Sequence, residues 1–462
     1  MSKLGRIFTA LLAFTVCGPA AADSDWGFCF SHFAQDDAER TTALGPLLEQ
    51  RATDKYYVDS VRPFITHWEN ETRVAEQYEV LWPLYERWYF GQESNWRAFV
   101  IFSGKRFDAA EENGRYRSWF LPIYFQGRNV EGEDYHAVFP LGGNIYEFLG
   151  RDKITFALFP IWGKSNVGDQ RTTSVLWPIY SRTKGPQDDR HRVFPIYGYS
   201  TRKDQWHKQF VLWPIWTHAR YTGKREGTSW ILFPIYGHGK VGQEETTYVI
   251  PPLFRFTRSP KQNVTNCPWP FLQFASGKTE KAYVWPIYGH KESDGNVRRF
   301  LLWPLGWYQK TEKGDGVQRR WDLLPVWGAD SLTAPDGEKL SRYWKFWPLM
   351  SYRRDGDAKR FRMLELWPRK YLGPIERNWQ PFVTLFDHQS DADGLEQELL
   401  WGLCRNQQSE DSSHFSIFPI YENDRKKDVK SWKLLKGLIG RKRDAVNSQW
   451  QFLYFIKTGK DV

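Results

Sequence analysis

The sequence predicts an all-β protein folded as an antiparallel up-and-down meander. Three observations carry this prediction: a short block containing proline and aromatic residues recurs about every 19 residues, turn-forming residues separate the blocks, and 17% of the chain is aromatic. Aromatic and β-branched side chains favour strands, and regularly spaced turns between such segments are typical of hairpin-linked sheets. A proline in nearly every block argues against a helical repeat.

The block reads as Leu, Val or Ile, then Phe or Trp, Pro, Ile or Leu, and finally Tyr or Trp. Recurrence at a near-constant spacing indicates a repeat protein whose units pack mainly against their chain neighbours. The repeat is most regular over residues 120–370 and is degenerate at both ends. The clearest copies are Leu81–Tyr85, Leu158–Trp162, Leu176–Tyr180, Val193–Tyr197, Leu212–Trp216, Leu232–Tyr236, Val284–Tyr288, Leu302–Leu305 and Ile417–Tyr421.

Charged turn sequences lie between the blocks, among them Asp294-Gly295, Pro335-Asp336-Gly337 and Asp355-Gly356. Asp-Gly pairs suit tight hairpin turns. We therefore expect one strand of about 10 to 13 residues per unit, with the block at its centre. Each strand would bend at its proline, and the small residue three places later, such as Gly198 or Gly237, would accommodate the bend or a close neighbour.

This spacing predicts about 20 to 23 antiparallel strands in one sheet, most simply a closed or strongly curled barrel. A β-solenoid is the alternative, because one coil of such a fold has a similar length, and a propeller-like array is another. Since both faces of the expected strand are apolar near its middle, we expect the aromatic blocks to form the core.

The first 22 residues differ in kind from the rest. Lys3 and Arg6 precede an apolar run, and Ala20-Ala21-Ala22 ends it, as in a secretory signal peptide. Residues 1–22 are therefore interpreted as a signal peptide and residues 23–462 as a single β-repeat domain. Export points to a Gram-negative cell envelope, either the outer membrane or, alternatively, the periplasm or the exterior.

Three cysteines follow the signal segment: Cys29, Cys267 and Cys404. Their wide spacing fits neither a metal-binding knuckle nor a disulfide-dense scaffold. One disulfide is compatible with an oxidising compartment, and three buried thiols are equally compatible. The sequence leaves this choice open.

The net charge of +10 favours anionic partners. For an exported chain these are an outer-membrane lipid or lipopolysaccharide, or an anionic or polymeric glycan, and nucleic acid is not expected. Outside the aromatic blocks, Trp88, Trp96 and Trp206 are candidate sugar-stacking residues, because sugar rings pack on aromatic faces.

No nucleophile, phosphate-binding or zinc-hydrolase motif occurs, so no catalytic, cofactor-binding or metal residue is nominated. His218, His238 and His290 share one slot of the repeat, four residues after the proline. A metal site would require them to converge, and a polar position near a strand end is the simpler interpretation.

The leading hypothesis is a non-enzymatic envelope protein, an outer-membrane β-barrel that acts as a conduit or structural component for an anionic or polymeric envelope substrate. A soluble periplasmic or secreted scaffold that binds glycans or a protein is the alternative. A polysaccharide-active enzyme is the third hypothesis, because all-β repeat folds host such sites on their rims.

Overall fold

The computed structural model describes residues 23–35, 38–72, 74–108, 114–314, 316–369, 372–392, 394–444 and 447–459. The proposed signal peptide, residues 1–22, lies outside the described residues. The all-β antiparallel class is confirmed: the described residues form 46 strands, and the strand ladders join chain neighbours in antiparallel order. Such ladders exclude a parallel solenoid.

The chain divides into two compact units. The first unit comprises the described residues of Met1–Trp82, Pro348–Trp367 and Tyr371–Val462, and the second those of Pro83–Trp347 and Pro368–Lys370. The strands of the first unit are β1 (Ser24–Trp26), β2 (Phe30–Gln35), β3 (Ala38–Ala43), β4 (Leu48–Ala52), β5 (Tyr56–Val61), β6 (Ile65–Asn70), β7 (Ala75–Val80), β36 (Met350–Asp355), β37 (Ala358–Met363), β38 (Phe386–Ser390), β39 (Gly394–Leu399), β40 (Cys404–Ser409), β41 (Ser412–Ile417), β42 (Tyr421–Lys426), β43 (Val429–Leu434), β44 (Ile439–Arg443), β45 (Ser448–Phe452) and β46 (Ile456–Thr458).

The second unit contains the most regular part of the repeat. Its strands are β8 (Tyr85–Phe90), β9 (Glu93–Ala98), β10 (Phe102–Arg106), β11 (Tyr116–Phe120), β12 (Tyr124–Arg128), β13 (Asp134–Val138), β14 (Gly142–Phe148), β15 (Arg151–Ala157), β16 (Trp162–Val167), β17 (Gln170–Val175), β18 (Tyr180–Lys184), β19 (Asp188–Val193), β20 (Tyr197–Arg202), β21 (Trp206–Val211), β22 (Trp216–Tyr221), β23 (Gly227–Leu232), β24 (Tyr236–Val241), β25 (Glu244–Val249), β26 (Phe254–Arg258), β27 (Gln262–Asn266), β28 (Leu272–Gly277), β29 (Thr279–Val284), β30 (Tyr288–Ser293), β31 (Asn296–Leu301), β32 (Gly306–Lys313), β33 (Gly316–Leu323), β34 (Trp327–Thr333) and β35 (Lys339–Phe346).

The aromatic block is a turn and not the middle of a strand. In the copy Leu176–Tyr180, β17 ends at Val175 and β18 begins at Tyr180, so the proline lies in the connection, where the Trp177-Pro178 peptide bond is cis. Each period therefore contains two short strands of three to eight residues, and the prediction of one long strand per period is wrong. A turn suits proline because it has no N–H to give to a ladder.

The connections in the second unit alternate strictly in character. The turns that follow odd-numbered strands, from β9/β10 to β33/β34, carry no charged residue, and we call them the apolar turn row: 99–101, 121–123, 139–141, 158–161, 176–179, 194–196, 212–215, 233–235, 250–253, 267–271, 285–287, 302–305 and 324–326. The turns that follow even-numbered strands are polar or short, and we call them the polar turn row; the one exposed leucine among its described residues is Leu149, in the connection 149–150. Because consecutive strands are antiparallel, the two rows lie at opposite ends of the strands.

Neighbouring turns of the apolar row are hydrogen-bonded to one another. The N–H of Leu176 donates to the carbonyl of Ile161 at 2.7 Å, and the N–H of Trp177 donates to the carbonyl of Pro160 at 2.8 Å. Ile179 closes its own turn by donating to Leu176 at 2.7 Å. The same three bonds recur in the turns at 212–215 and 302–305. The row is thus a continuous backbone ladder in which no N–H of 176–179 is free.

The predicted Asp-Gly turn is confirmed at Asp294-Gly295, where the φ angles of both residues are positive, at 48° and 75°. Positive φ at both positions is the requirement of a two-residue hairpin turn that matches strand twist. The small residue after the block also has its expected role at Gly198. A Cβ there would lie 2.5 Å from the ring of Phe210 on the adjacent strand, so the glycine makes room for that ring.

Helix appears in the connection between β37 and β38. There the turn is enlarged into α1 (Gly373–Asn378) and α2 (Gln380–Val383), both in the first unit. Asn378 is fully buried, its amide donating to Glu79 and to the carbonyl of Pro374 at 2.9 Å. The block around Pro368 therefore departs from the regular turn, which the sequence pattern does not reveal.

Barrel closure is not confirmed. In the first unit β1 pairs with β2 and β46 pairs with β45, and among the described residues no ladder joins β1 to β46. Among the same residues, no helix is both long and apolar enough to cross a bilayer. The closed or strongly curled barrel remains a prediction.

Candidate ligand-binding cavity

One face of the second unit carries a cavity of about 1170 Å³, lined from the turn at 121–123 to Ile231. A cavity of this volume accommodates a drug-sized molecule or part of a larger one. Its wall changes in character along the sheet, from aromatic residues on the earlier strands to basic and hydroxyl-bearing residues on the later ones.

The apolar end rests on a small buried core. Phe125, Ala137, Ile145 and Phe156 are buried together, and Phe148 packs its ring on Phe125 with centroids 5.2 Å apart. These side chains meet because they face the same side of adjacent strands: Phe125 pairs with Ala137, and Ile145 with Ile154. The result is a fixed apolar wall that suits a hydrocarbon or aromatic group.

The other end is basic. None of the described residues that line the cavity carries a carboxylate, whereas five carry a permanent positive charge: Arg151, Lys164, Arg190, Arg192 and Lys208. Hydroxyl and amide side chains add hydrogen-bonding capacity around these charges: Ser165, Gln170, Thr172, Ser174, Ser181, Thr183, Ser200, Gln209, Thr217 and Ser229. An anion is the complement of such a wall.

Not all of these charges are equally available. Arg190 donates to the buried carboxylate of Asp188, on the same face of β19, at 3.1 Å, and Arg202 donates to the same carboxylate. Burial raises the pKa of Asp188, but the bonds from Arg202 and Arg190 outweigh it, so this pKa lies below its ordinary value. Arg190 therefore shares the single negative charge of Asp188 with Arg202 and is less available to a ligand than an unpaired arginine.

Arg192 differs from Arg190. It pairs across the sheet with Ser181 on one side and Gly198 on the other, so both of its cross-strand neighbours are small. Its Nε is buried and has no hydrogen-bond partner. Because Nε itself is enclosed, a ligand anion would bind the terminal guanidinium nitrogens, where a charge-assisted hydrogen bond is worth about 1.5 to 3 kcal/mol. Arg192 is therefore the best-placed anion contact in the cavity.

The predicted sugar-contact residues are not exposed. Trp88, Trp96 and Trp206 lie in β8, β9 and β21, and all three are half-buried. Trp96 covers Gly104, where a Cβ would lie 2.2 Å from its Nε1. Trp206 lies near the cavity, with the Lys208 ammonium 4.7 Å from its ring. Their role in sugar binding remains a prediction.

Some of the block aromatics lie on the surface, so the expectation that the blocks form the core is wrong for Trp177, Trp213 and Trp303, whereas Phe159 packs against the buried core. Trp177, Trp213 and Trp303 are about half exposed. Along the row the rings of successive turns contact one another: Phe159 and Trp177 have centroids 5.8 Å apart, as do Trp285 and Trp303.

The predicted histidine slot is a strand position. His218, His238 and His290 lie on β22, β24 and β30, and among the described residues no group of His, Cys, Asp and Glu is arranged to hold a metal. The three cysteines of the described chain, Cys29, Cys267 and Cys404, are free thiols.

The first unit contains a second chemical cluster, which sequence reasoning missed. Asp25 accepts hydrogen bonds from Arg405 at 2.9 Å, from His414 Nε2 at 2.9 Å and from Ser416. His414 Nδ1 is bonded to Asp424 at 2.5 Å. We call these five residues the Asp25 cluster. No motif could reveal it, since Asp25 lies hundreds of residues from its partners in the chain.

Within the Asp25 cluster, each charged side chain is paired with a side chain of opposite charge. Burial would lower the pKa of His414, but its bonds to Asp25 and Asp424 raise that pKa to about 9. Burial would likewise raise the pKa of Asp25, yet His414, Arg405 and Ser416 hold it far below its ordinary value. Ser416 is fully buried and donates to Asp25 instead of to the imidazole, so it is not an activated nucleophile. The cluster is a structural ion-pair network.

No protein-family model matches this chain, and a search of curated proteins gives no match. The functional interpretation therefore depends on the cavity, the Asp25 cluster and the two turn rows.

Proposed function

We propose that this chain is a non-enzymatic cell-envelope protein that binds an anionic amphipathic molecule in the cavity of its second unit and serves as a conduit or structural support for it. The ligand class is an anionic lipid or glycolipid, with its apolar part against the Phe125 wall and its phosphate or carboxylate near Arg192. The observation that carries the proposal is a cavity that combines a buried aromatic wall with unneutralised basic residues.

Three features support this ligand class. The apolar wall would bury hydrocarbon at about 25 cal/mol per Å². Arg192 offers a buried donor that has no partner. The net charge, which is +10 for the whole sequence and +8 without Lys3 and Arg6 of the proposed signal peptide, would attract anions to the chain before contact. An exported protein meets such molecules in the outer membrane, which is the location that we propose.

The proposal does not require strands that span the bilayer. Spanning β-strands need about 9 to 11 residues, whereas the described strands have three to eight. We propose instead that the ligand lies along the lined face, across several strands.

The test compares ligand binding by wild type, Arg192→Gln and Arg225→Gln. A short-chain phosphatidylglycerol below its micellar concentration is titrated calorimetrically, with the matching phosphatidylcholine as the neutral probe. We expect Arg192→Gln to weaken binding of the anionic lipid about tenfold or more, since a charge-assisted hydrogen bond is worth about 1.5 to 3 kcal/mol. Arg225 is the matched control because its side chain is 74% exposed on the polar turn row. Equal affinity for the two lipids would overturn the proposal.

A soluble periplasmic or secreted glycan-binding scaffold is the second candidate. Aromatic rings beside cations favour it: the Lys208 ammonium lies 4.7 Å from the ring of Trp206 and 5.6 Å from that of Tyr221. This candidate requires Trp206→Ala to abolish binding of an acidic oligosaccharide, with lipid binding absent in wild type.

A further inference from the structure

The apolar turn row exposes large side chains at every turn. In the turn 176–179, Leu176 is 50% exposed, Trp177 51% and Ile179 49%. In the turns at 212–215 and 302–305, the first, second and fourth residues are likewise about half exposed. A contiguous exposed apolar surface on a folded chain indicates a partner or a membrane.

Backbone conformation shows that these side chains are not merely tolerated. The first residue of several turns is a leucine in the left-handed region, with φ of 47° at Leu176 and Leu212 and 48° at Leu302. That conformation costs a residue with a Cβ about 1 to 2 kcal/mol, and glycine would avoid the cost. A half-exposed leucine recovers little of this energy by burial in the chain, and a contact outside the chain would account for its use at successive turns.

We propose that the apolar turn row inserts into the interfacial layer of one leaflet of a lipid bilayer, so that the strands stand on the membrane instead of crossing it. This inference does not rest on the ligand of the cavity.

Three properties select a bilayer as the occupant. First, the turns leave no backbone donor unpaired, because every N–H of 176–179 is hydrogen-bonded and proline has none, and this lowers the cost of entering an interfacial layer. Second, the surface is repetitive and uncharged across the whole row, which matches a uniform apolar phase and offers a folded protein partner no distinguishing feature. Third, the chemistry changes with depth as it does at a membrane interface.

The depth profile runs from the turn tip into the strands. Leucine, tryptophan and isoleucine lie at the tip, and a half-exposed tyrosine begins the next strand, as at Tyr197 and Tyr288. Two residues further, five of the strands carry a basic or histidine side chain: Lys164, Arg182, His218, His238 and His290. Two strand residues span about 7 Å, which falls within the insertion depth of about 5 to 10 Å of interfacial anchors. Aromatic rings and then cations are the sequence in which membrane interfaces place side chains.

The test uses two triple variants of equal charge. Ile179→Asp, Ile215→Asp and Ile287→Asp change three half-exposed residues of the apolar row. Gln187→Asp, Gln205→Asp and Gln243→Asp place the same charges on exposed residues of the polar row. Binding is measured by co-sedimentation with vesicles of phosphatidylethanolamine and phosphatidylglycerol.

We expect the isoleucine triple to lower the partition coefficient about tenfold or more, because three apolar contacts are lost. The glutamine triple should stay within about twofold of wild type, because the polar row does not touch lipid. Equal loss in both triples would show that binding depends on net charge, and absence of vesicle binding by wild type would show that the row serves a protein partner. Either result overturns the proposal.

A second measurement tests the proposal even if the isoleucine triple variant does not fold. In a chain with Cys17, Cys29, Cys267 and Cys404 changed to serine, an environment-sensitive dye is attached at Ile215→Cys or at Gln205→Cys. Vesicles should shift the emission to the blue at position 215 only, and equal shifts at both positions would contradict insertion. Short-chain lipid binding in the cavity should be retained in the folded isoleucine triple, so failure of this proposal is distinguishable from failure of the cavity proposal.

Discussion

In the first unit, several charged side chains are buried, and Arg405 is the clearest case. Its side chain is 1% exposed and pairs with the buried Asp25 at 2.9 Å and with Glu398 at 3.4 Å. A buried ion pair is not in itself a large source of stability. Removing one partner is costly, however, because the other charge stays buried without a counter-charge. The energetic importance of Arg405 therefore appears on truncation.

We expect Arg405→Ala to lower the free energy of unfolding by about 3 to 5 kcal/mol, because Asp25 loses its permanent cation. Urea denaturation followed by tryptophan fluorescence measures the change. Arg225→Ala is the matched control, with an expected effect within about 0.5 kcal/mol. A loss below about 1 kcal/mol in Arg405→Ala would mean that water or His414 compensates for the missing charge.

His414 makes the stability of the Asp25 cluster dependent on pH. Its pKa in the folded chain is about 9, above the ordinary 6.5. The folded state therefore binds this proton more tightly, and the stabilisation is complete below pH 6.5 and disappears as pH rises to about 9. The difference corresponds to about 3 kcal/mol. His414→Gln should flatten unfolding stability measured between pH 6 and 9.5, and an unchanged slope in that variant would assign the dependence to other groups.

At the scale of the strand, the side chain on the adjacent strand determines whether the position three residues after the proline must be glycine. Gly198 and Gly163 occupy the same slot, but a Cβ at Gly198 would lie 2.5 Å from Phe210, whereas the nearest atom to a Cβ at Gly163 is the Thr155 carbonyl at 3.8 Å. The same position of the repeat therefore tolerates a larger side chain in the copy that contains Gly163 but not in the copy that contains Gly198.

We expect Gly198→Ala to destabilise the chain by about 1 to 3 kcal/mol, because the ring of Phe210 must move. Gly163→Ala should be neutral or stabilising by a few tenths of a kcal/mol, since alanine restricts the unfolded chain. Thermal denaturation of both variants and of Gly198→Ala combined with Phe210→Ala provides the measurement. Failure of the double substitution to recover part of the loss would contradict the proposed contact.

The sequence predicted the class of these elements but not their length. A period of about 19 residues is equally compatible with one long strand and with two short ones. The apolar neighbours of Pro178 favour the inside of a strand, because apolar residues are expected to be buried. The block is instead a partly exposed turn, and the lack of an N–H on proline is the better guide. The cavity could not be predicted either, since Phe125 and Arg192 share a wall only through the intervening strands.

At the scale of the whole molecule, two rows of turns with opposite chemistry require strict alternation. Every odd-to-even connection of the second unit is apolar and every even-to-odd connection there is polar or short. Removing two consecutive strands preserves this order, and removing one reverses it for all later turns. We therefore expect correct folding to depend on strand parity, meaning whether an even or an odd number of strands separates two turns, as much as on the propensity of each segment to form a strand.

A matched pair of deletions tests the role of parity. Deletion of residues 285–302 removes β30 and β31 and joins Val284 to Trp303-Pro304, which restores the Val-Trp-Pro sequence of the original turn. Since repeat units contact mainly their neighbours, we expect this chain to remain soluble and to unfold cooperatively. Deletion of residues 294–301 removes a single strand and its turn, so apolar turns would join the polar row. We expect that shorter deletion to aggregate or to lose β-sheet circular dichroism. If instead both chains fold equally well, the order of the two rows is incidental to folding, and the apolar turn row would have to be explained by its contacts with other molecules alone.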